Sequence, residues 1–592
     1  MDKNTITARA KEYIQRERDP HFRKEVEELL AKEDFKELED RFYRMLEFGT
    51  GGLRGIIGGG YNRMNTLVVK SATQGLASYL RKAASDKAAA GTLKAVVAFD
   101  SRHYSAEFAE ASALIFAANG IKTYLFSALR PTPELSFAIR RLGCDTGIVV
   151  TASHNPPRYN GYKAYWNDGA QVISPHDTGI IDEVNRVSEI KEMDRDEALK
   201  KGLLTIIDKE IDEPYWAMVK SRLFRPELIK EKAGEVKIVY TPLHGTGALH
   251  VETVLGGLGL KVITVPEQRE GNGDFPTVAF PNPEEAAALE MAIKLGEEKN
   301  ADVVMATDPD ADRFGIAVPA ANSQSKKPEF ALISGNQMGV LLADYIFLSL
   351  KEFGKMPKNP AMVNSIVTTG MQGKIAEHYG ASCLECLTGF KWIADVMRQC
   401  EEEGSHTVVF GTEESYGYLV ENEVRDKDGV SAAALTAEMT LYWRSKGKSL
   451  LDRLNELYGI TGYWEEMGVS KYFQGPEGPA IMKGIMEEYR KNPPQTLGGL
   501  KVVKTRDLLA SLWLLPGGEK GTEKVLLPKS DVLQFYLEDG TVVSARPSGT
   551  EPKIKFYATS CTKLTGRLEE AKAVAAKKLN AIKQDIRKVI GE

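Results

Sequence analysis

The chain has 592 residues, 43% of them hydrophobic and 27% charged, with a net charge of −5. That balance belongs to a soluble globular protein and leaves no basic surface for nucleic acid or an anionic membrane. No apolar run approaches the roughly 18 residues of a membrane span, and the charged start lacks the apolar core of a secretory signal. Five cysteines in so long a chain make no disulfide framework. Cys383 and Cys386 form a lone CxxC with no second pair at zinc-ribbon spacing, and read as small buried hydrophobes. A reducing, cytoplasmic setting is expected, and a length of this order suggests about four domains.

Residues 1–46 repeat apolar positions at helical spacing and read as a helical extension that packs and carries no chemistry. A glycine-rich stretch, Phe48-Gly49-Thr50-Gly51-Gly52-Leu53-Arg54-Gly55, follows. Its glycines let backbone approach a ligand, and Arg54 could meet a phosphate or carboxylate; it lacks the Gly-Lys-Ser/Thr ending of a P-loop.

From 66 to 205 strands and helices alternate: strand 95–100, helix 108–118, strand 122–126, helix 134–142, strand 146–150. This is the βαβ rhythm of a mostly parallel sheet. The last strand stops at Thr151-Ala152-Ser153-His154-Asn155-Pro156-Pro157, a stretch that runs on through Asn160-Gly161-Tyr162-Lys163. Two prolines forbid continuation, so Ser153 is expected in a rigid, exposed turn. Its hydroxyl suits a nucleophile or phosphate carrier; an ordinary polar turn, with Ser and Asn bonded to their own backbone, fits the same residues.

The rhythm returns from 210 to 325, with strands at 236–240, 261–265 and 301–306 and a long loop over 266–283. The last strand runs into Asp308-Pro309-Asp310-Ala311-Asp312-Arg313. Three carboxylates this close repel unless a cation neutralises them, and all-oxygen ligands suit Mg²⁺. An EF-hand fails, because its glycine and glutamate positions hold Arg313 and Pro319. A haloacid-dehalogenase-type site with Asp308 as nucleophile, and a plain solvated acidic turn, stay open.

A third unit, 326–462, carries Thr388-Gly389-Phe390-Lys391 and a strand ending in Glu413-Glu414-Ser415, followed by Arg425, Lys427 and Asp428. The glutamates could hold sugar hydroxyls, or could be the acidic first turn of a helix. The tail, 463–592, reads as a smaller α+β domain with a hairpin turn at 538–540. It contains Arg546-Pro547-Ser548-Gly549-Thr550, either an oxyanion cradle or a simple turn. The fold expected is α/β: three successive α/β mixed-sheet domains (47–209, 210–325, 326–462) and a smaller C-terminal α+β domain around a central cleft.

Taken together, the four loops describe phosphoryl transfer on a phosphorylated polyol. In their order the chain resembles the α-D-phosphohexomutase superfamily, the phosphoglucomutase/phosphomannomutase group, over about residues 45–592. It looks most like the branch of long bacterial phosphoglucomutases and phosphopentomutase-type enzymes. The resemblance implies interconversion of glucose 1-phosphate and glucose 6-phosphate through phosphorylated Ser153 and a glucose 1,6-bisphosphate intermediate. Within the family the alternatives are phosphomannomutase, phosphopentomutase and glucose 1,6-bisphosphate synthase; outside it, an aspartyl-phosphate enzyme or a non-enzymatic sugar-phosphate-binding protein. It further implies one Mg²⁺ per subunit on Ser153, Asp308, Asp310 and Asp312, with glucose 1,6-bisphosphate as activator and phosphoryl primer. Arg54, His154, Lys163 and Lys427 become catalytic candidates. Arg313, Thr388, Gly389, Lys391, Glu413, Ser415, Arg425 and Lys427 become substrate-binding candidates, and Arg546, Ser548, Gly549 and Thr550 phosphate-binding ones. Some bacterial relatives place a histidine two residues after the sugar-loop serine; here that position is Gly417. Sugar phosphates are the partners expected, and a monomer or weak dimer the state.

Overall fold

A computed structural model describes residues 1–49, 51–320, 329–473, 477–548 and 553–591. The chain divides into two compact units: Met1–Gly335 with Ser415–Gly447, and Asn336–Glu414 with Lys448–Glu592. No helix among the described residues is long and apolar enough to cross a membrane.

The first unit opens with three helices, Lys3–Arg16, Pro20–Ala31 and Phe35–Phe42. Each starts at an aspartate, Asp2, Asp19 and Asp34, whose carboxylate accepts first-turn N–H groups. Their apolar faces close on Tyr13, Phe42 and Tyr61, stacked edge to face.

Two sheets follow. The first has the order Gly52–Ile56, Tyr159–Trp166, Thr146–Val150, Lys94–Phe99, Lys122–Phe126, Leu204–Ile207. Its last four strands run parallel, and the first two are antiparallel additions. Thr146–Val150 is buried along its whole length, as a strand covered on both faces must be, which is why it reads as an uninterrupted apolar run. Strand order reverses between Lys94–Phe99 and Thr146–Val150. At such a switch point the loops beyond the carboxyl ends part and leave a crevice; they are 100–104 and 151–158. The second sheet repeats the device. Its order is Glu329–Ile333, Phe314–Ala320, Val303–Thr307, Lys237–Thr241, Lys261–Thr264. The reversal falls between Lys237–Thr241 and Val303–Thr307, so the loop at 242–247 and the triple-aspartate loop share one end.

Tyr159–Trp166 is a strand that the sequence reading did not mark. Asn160-Gly161 sit inside its eight residues, antiparallel to Thr146–Val150. The glycine serves close packing: a Cβ on Gly161 would lie 2.5 Å from Thr151 O and 2.9 Å from Leu53 O. The expected loop at 266–283 also holds a short helix, Pro266–Arg269.

In the second unit, Ser382–Cys386 and Thr407–Glu413 flank Pro360–Ser365 in parallel. An antiparallel sheet follows from Tyr463–Tyr472 through Lys553–Thr562, Val542–Pro547 and Leu533–Leu537 to Leu500–Asp507, and the helix Leu568–Ile590 packs on it. The hairpin expected at 538–540 is present, with Gly540 at φ 87°. Val525 and Leu527 lie outside any strand and pack beside Leu508 and Val532.

Candidate active site

Ser153 stands just past the carboxyl end of Thr146–Val150 in the left-handed region, φ 50°. It is 4% exposed, so the open turn expected from the prolines is in fact enclosed. The cause is the returning strand Tyr159–Trp166 together with Arg102 from the facing loop. The Ser153 hydroxyl donates to Asp308 Oδ2 at 2.7 Å and lies 3.1 Å from His154 Nδ1. Burial, reinforced by Arg313 and Arg54, pushes the His154 imidazole well below its usual pKa.

The three aspartates leave the buried strand Val303–Thr307 at i, i+2 and i+4, and all are buried. Asp308 Oδ1 accepts the Arg313 N–H at 2.9 Å. Asp310 Oδ2 takes both the Thr132 hydroxyl at 2.8 Å and the Lys163 ammonium at 2.7 Å. Asp312 Oδ2 takes Lys163 at 2.9 Å and has Lys427 at 3.3 Å. The other oxygens, Asp310 Oδ1 and Asp312 Oδ1, are buried with no hydrogen-bond partner among the described residues. One carboxylate oxygen from each aspartate can be chosen so that all three lie within 4.8 Å. Uncompensated buried acceptors in a tight all-oxygen group fit a hard divalent cation such as Mg²⁺.

The surroundings act very differently on two of the three carboxylates. Burial, with Asp310 and Asp312 alongside, drives the Asp308 carboxyl well above the carboxylate range. Burial acts in the same sense on Asp312, but Lys163, Lys427 and Arg313 outweigh it and hold that group low. Lys163 is likewise opposed by burial, and Asp310 and Asp312 keep it charged.

The first unit also carries Arg54, Arg313, Ser415, Arg425 and Lys427. Arg54 lies on Gly52–Ile56 opposite Gly161, its Nη1 3.4 Å from Asn155 Oδ1. Arg313 pairs with Glu284. Lys427 also donates to Asp426 Oδ1 at 3.0 Å, and Asp426 accepts the Tyr165 hydroxyl at 2.7 Å. Arg425 is buried and anchored by its N–H on Ser136 Oγ. Ser415 is half-buried ahead of Tyr416, whose carbonyl accepts the Phe314 N–H at 2.9 Å. Gly417, where some relatives carry histidine, is buried and bridges to Arg313.

The remaining candidates lie on the second unit. Glu413 ends a strand and is buried, so the helix-start alternative fails at that residue. Its neighbour Glu414 accepts from Ser365 Oγ at 2.9 Å and Thr368 Oγ1 at 3.2 Å. Thr388 and Gly389 precede the helix Phe390–Glu403, Gly389 at φ 111°. The Lys391 ammonium stands 5.4 Å from the Trp392 ring centroid. Arg546 is half-buried on Val542–Pro547, and the Ser548 N–H donates to Lys553 O at 2.7 Å. Gly549 and Thr550 lie outside the described residues. Cys386 is buried and Cys383 half-buried, and desolvation raises the Cys383 thiol to about 12 and Cys386 well above its usual range.

Sequence reading missed Thr132, Asp100 and Arg102. Thr132 grips the acidic loop twice, its N–H on Asp310 O at 2.9 Å and its hydroxyl on Oδ2. Gly245 shows how tightly the loop beyond Lys237–Thr241 abuts the same acidic turn: a Cβ there would lie 2.3 Å from Pro309 Cα. Gly245→Ala is therefore expected to cost about 1–3 kcal/mol of stability and to weaken Mg²⁺ binding, read by denaturation and by metal titration. An unchanged midpoint would mean the loops separate freely.

Four family models match in chain order: phosphoglucomutase/phosphomannomutase alpha/beta/alpha domain I over residues 45–191, domain II over 213–321, domain III over 334–459, and the C-terminal domain over 490–576. A phosphopentomutase of Homo sapiens is 35% identical over 581 residues, covering 95% of this chain and 90% of that protein. A phosphoglucomutase of Staphylococcus haemolyticus is 33% identical over 521 residues, covering 88% and 91%. In fold, the chain is similar to the pp63/parafusin phosphoprotein of Paramecium, with TM-score 0.66 and 18% identity over 93% of this chain and 96% of that one.

Proposed function

We propose, from the premise that the chain belongs to the phosphoglucomutase/phosphomannomutase family and is an intramolecular phosphotransferase, that it interconverts glucose 1-phosphate and glucose 6-phosphate. The observation that carries this is the Ser153 hydroxyl placed 2.7 Å from Asp308 in an acidic cluster with two bare carboxylate oxygens. Phosphorylated Ser153 donates its phosphoryl group to a sugar hydroxyl: the Oγ–P bond breaks, a sugar O–P bond forms, and the hydroxyl proton leaves to a base. The glucose 1,6-bisphosphate so formed turns over, and its other phosphate returns to Ser153. Glucose 1,6-bisphosphate is thus also the primer that phosphorylates a bare serine.

Asp308, Asp310 and Asp312, with Ser153, are the residues that would hold Mg²⁺. Bound there, Mg²⁺ supplies positive charge against the transferring phosphoryl oxygens. Lys163 and Arg54 hold the reacting phosphate, and Lys163, Lys427 and His154 are the candidates for moving the proton. Thr388, Gly389, Lys391, Glu413, Ser415 and Arg425 read the sugar, and Arg546 and Ser548 the phosphate that does not react.

Pentose phosphate is the second reading, favoured by the likeness to a phosphopentomutase. Comparing kcat/KM for glucose, mannose, glucosamine and ribose 1-phosphates decides between them. Glucose is expected to lead; a ribose preference would end the hexose assignment.

A further inference from the structure

We propose that Arg102 is a positioning residue for the serine, and that Asp100 and Thr151 complete its brace; this rests on the phosphoserine reading above. The Arg102 side chain is completely buried and ends on backbone. Its Nη1 donates to Pro156 O at 2.9 Å and Tyr159 O at 3.0 Å, and its Nη2 donates to Ser153 O and Asn155 O. One guanidinium thus gathers four carbonyls of the serine loop, which only a planar, five-donor fork can do.

Asp100 holds the guanidinium and the loop together. Its Oδ2 lies 3.4 Å from Arg102 Nε and accepts the Thr151 hydroxyl at 2.6 Å. Thr151 Oγ1 in turn accepts the Ser153 N–H at 2.8 Å. Both peptide groups flanking the Ser153 Cα are therefore pinned, the N–H to Thr151 and the C=O to Arg102. A serine at φ 50° is strained, and persists where the surroundings over-determine it. With both dihedrals set, the direction of Cβ is set, and the hydroxyl falls on Asp308.

The brace also registers two loops against each other. Ser101 Oγ donates to His244 O at 2.7 Å, and the Thr246 N–H donates to Pro309 O at 2.8 Å, inside the acidic turn. The path from Arg102 to the aspartates is thus a few bonds long, and it never touches a reacting atom.

The test uses the full-length enzyme with Mg²⁺ and radiolabelled glucose 1,6-bisphosphate. It compares wild type, Arg102→Lys and the shape-conserving Thr151→Val. The rate at which label enters Ser153 is measured beside the calorimetric Kd for glucose 6-phosphate. Labelling is expected to slow about a hundredfold in Arg102→Lys and about tenfold in Thr151→Val, because misplacing a nucleophile by an ångström is that costly. Affinity should stay within about twofold, a split that a general loss of folded protein would not produce. Labelling at the wild-type rate in either folded variant overturns the proposal, as does a loss of affinity that matches the loss of rate. Should Arg102→Lys fail to fold, Thr151→Val decides alone. Wild-type enzyme that takes no label sinks the phosphoserine reading itself, a result distinct from the others.

Discussion

Ser153→Ala is expected to take up no stable phosphoryl label and to lose about four orders of magnitude or more in kcat, the scale on which removal of a nucleophile acts. The fold should survive. Alanine keeps the Cβ and meets the same left-handed backbone at φ 50°, so the exchange adds no strain that serine did not already carry. The brace on the flanking peptide groups uses backbone atoms and stays intact. What is lost is one oxygen and the bond it donates to Asp308. The same variant separates the serine mechanism from an aspartyl-phosphate one. An acyl phosphate on Asp308 would still form without Ser153 and would be cut by hydroxylamine, whereas phosphoserine resists it. Label retained in Ser153→Ala and released by hydroxylamine would move the nucleophile to Asp308.

How far this site could be read from the sequence depends on how local its determinants are. Ser153 and the aspartate triad lie in contiguous stretches directly after apolar strands, and the βαβ rhythm places strand ends at ligand sites. The alternation in 94–150 and 237–307 is likewise local, and the observed strands fall within a residue or two of the expected ones. What escaped was set by contacts distant in sequence. Asn160-Gly161 has turn chemistry, and only packing against Thr151 O and Leu53 O turns it into strand. Arg102 could not be singled out from its neighbours, because its four acceptors lie more than fifty residues on. Thr132 is 178 residues from Asp310. The enclosure of Ser153 follows from these same contacts. The switch points themselves were readable in principle, since the strand-end loops at 100–104 and 151–158 must face one another once strand order is known.

Asp310→Asn is expected to lower kcat by roughly a hundred- to a thousand-fold while KM for glucose 1-phosphate moves far less. The substitution conserves shape, so its effect is electrostatic. Asp310 Oδ2 answers Lys163 and Thr132, and Oδ1 has no partner among the described residues. An asparagine must present its amide to one of these two sides. Facing Lys163 and Thr132, it sets donor against donor. Facing inward, it puts a donor where a cation ligand belongs. Either orientation should weaken Mg²⁺ binding by at least about tenfold, read by titrating metal into the variant and following both activity and calorimetric heat. Lys163 loses one of the carboxylates that hold its charge against burial, and keeps Asp312, with Asp426 acting in the same sense. Removing Mg²⁺ from wild-type enzyme with a chelator should reproduce the kcat loss and spare sugar-phosphate binding, because the positive charge is needed where the phosphoryl group moves. A rise in KM with kcat intact, in the variant or in the chelated enzyme, would assign the triad to binding and take it out of the chemistry.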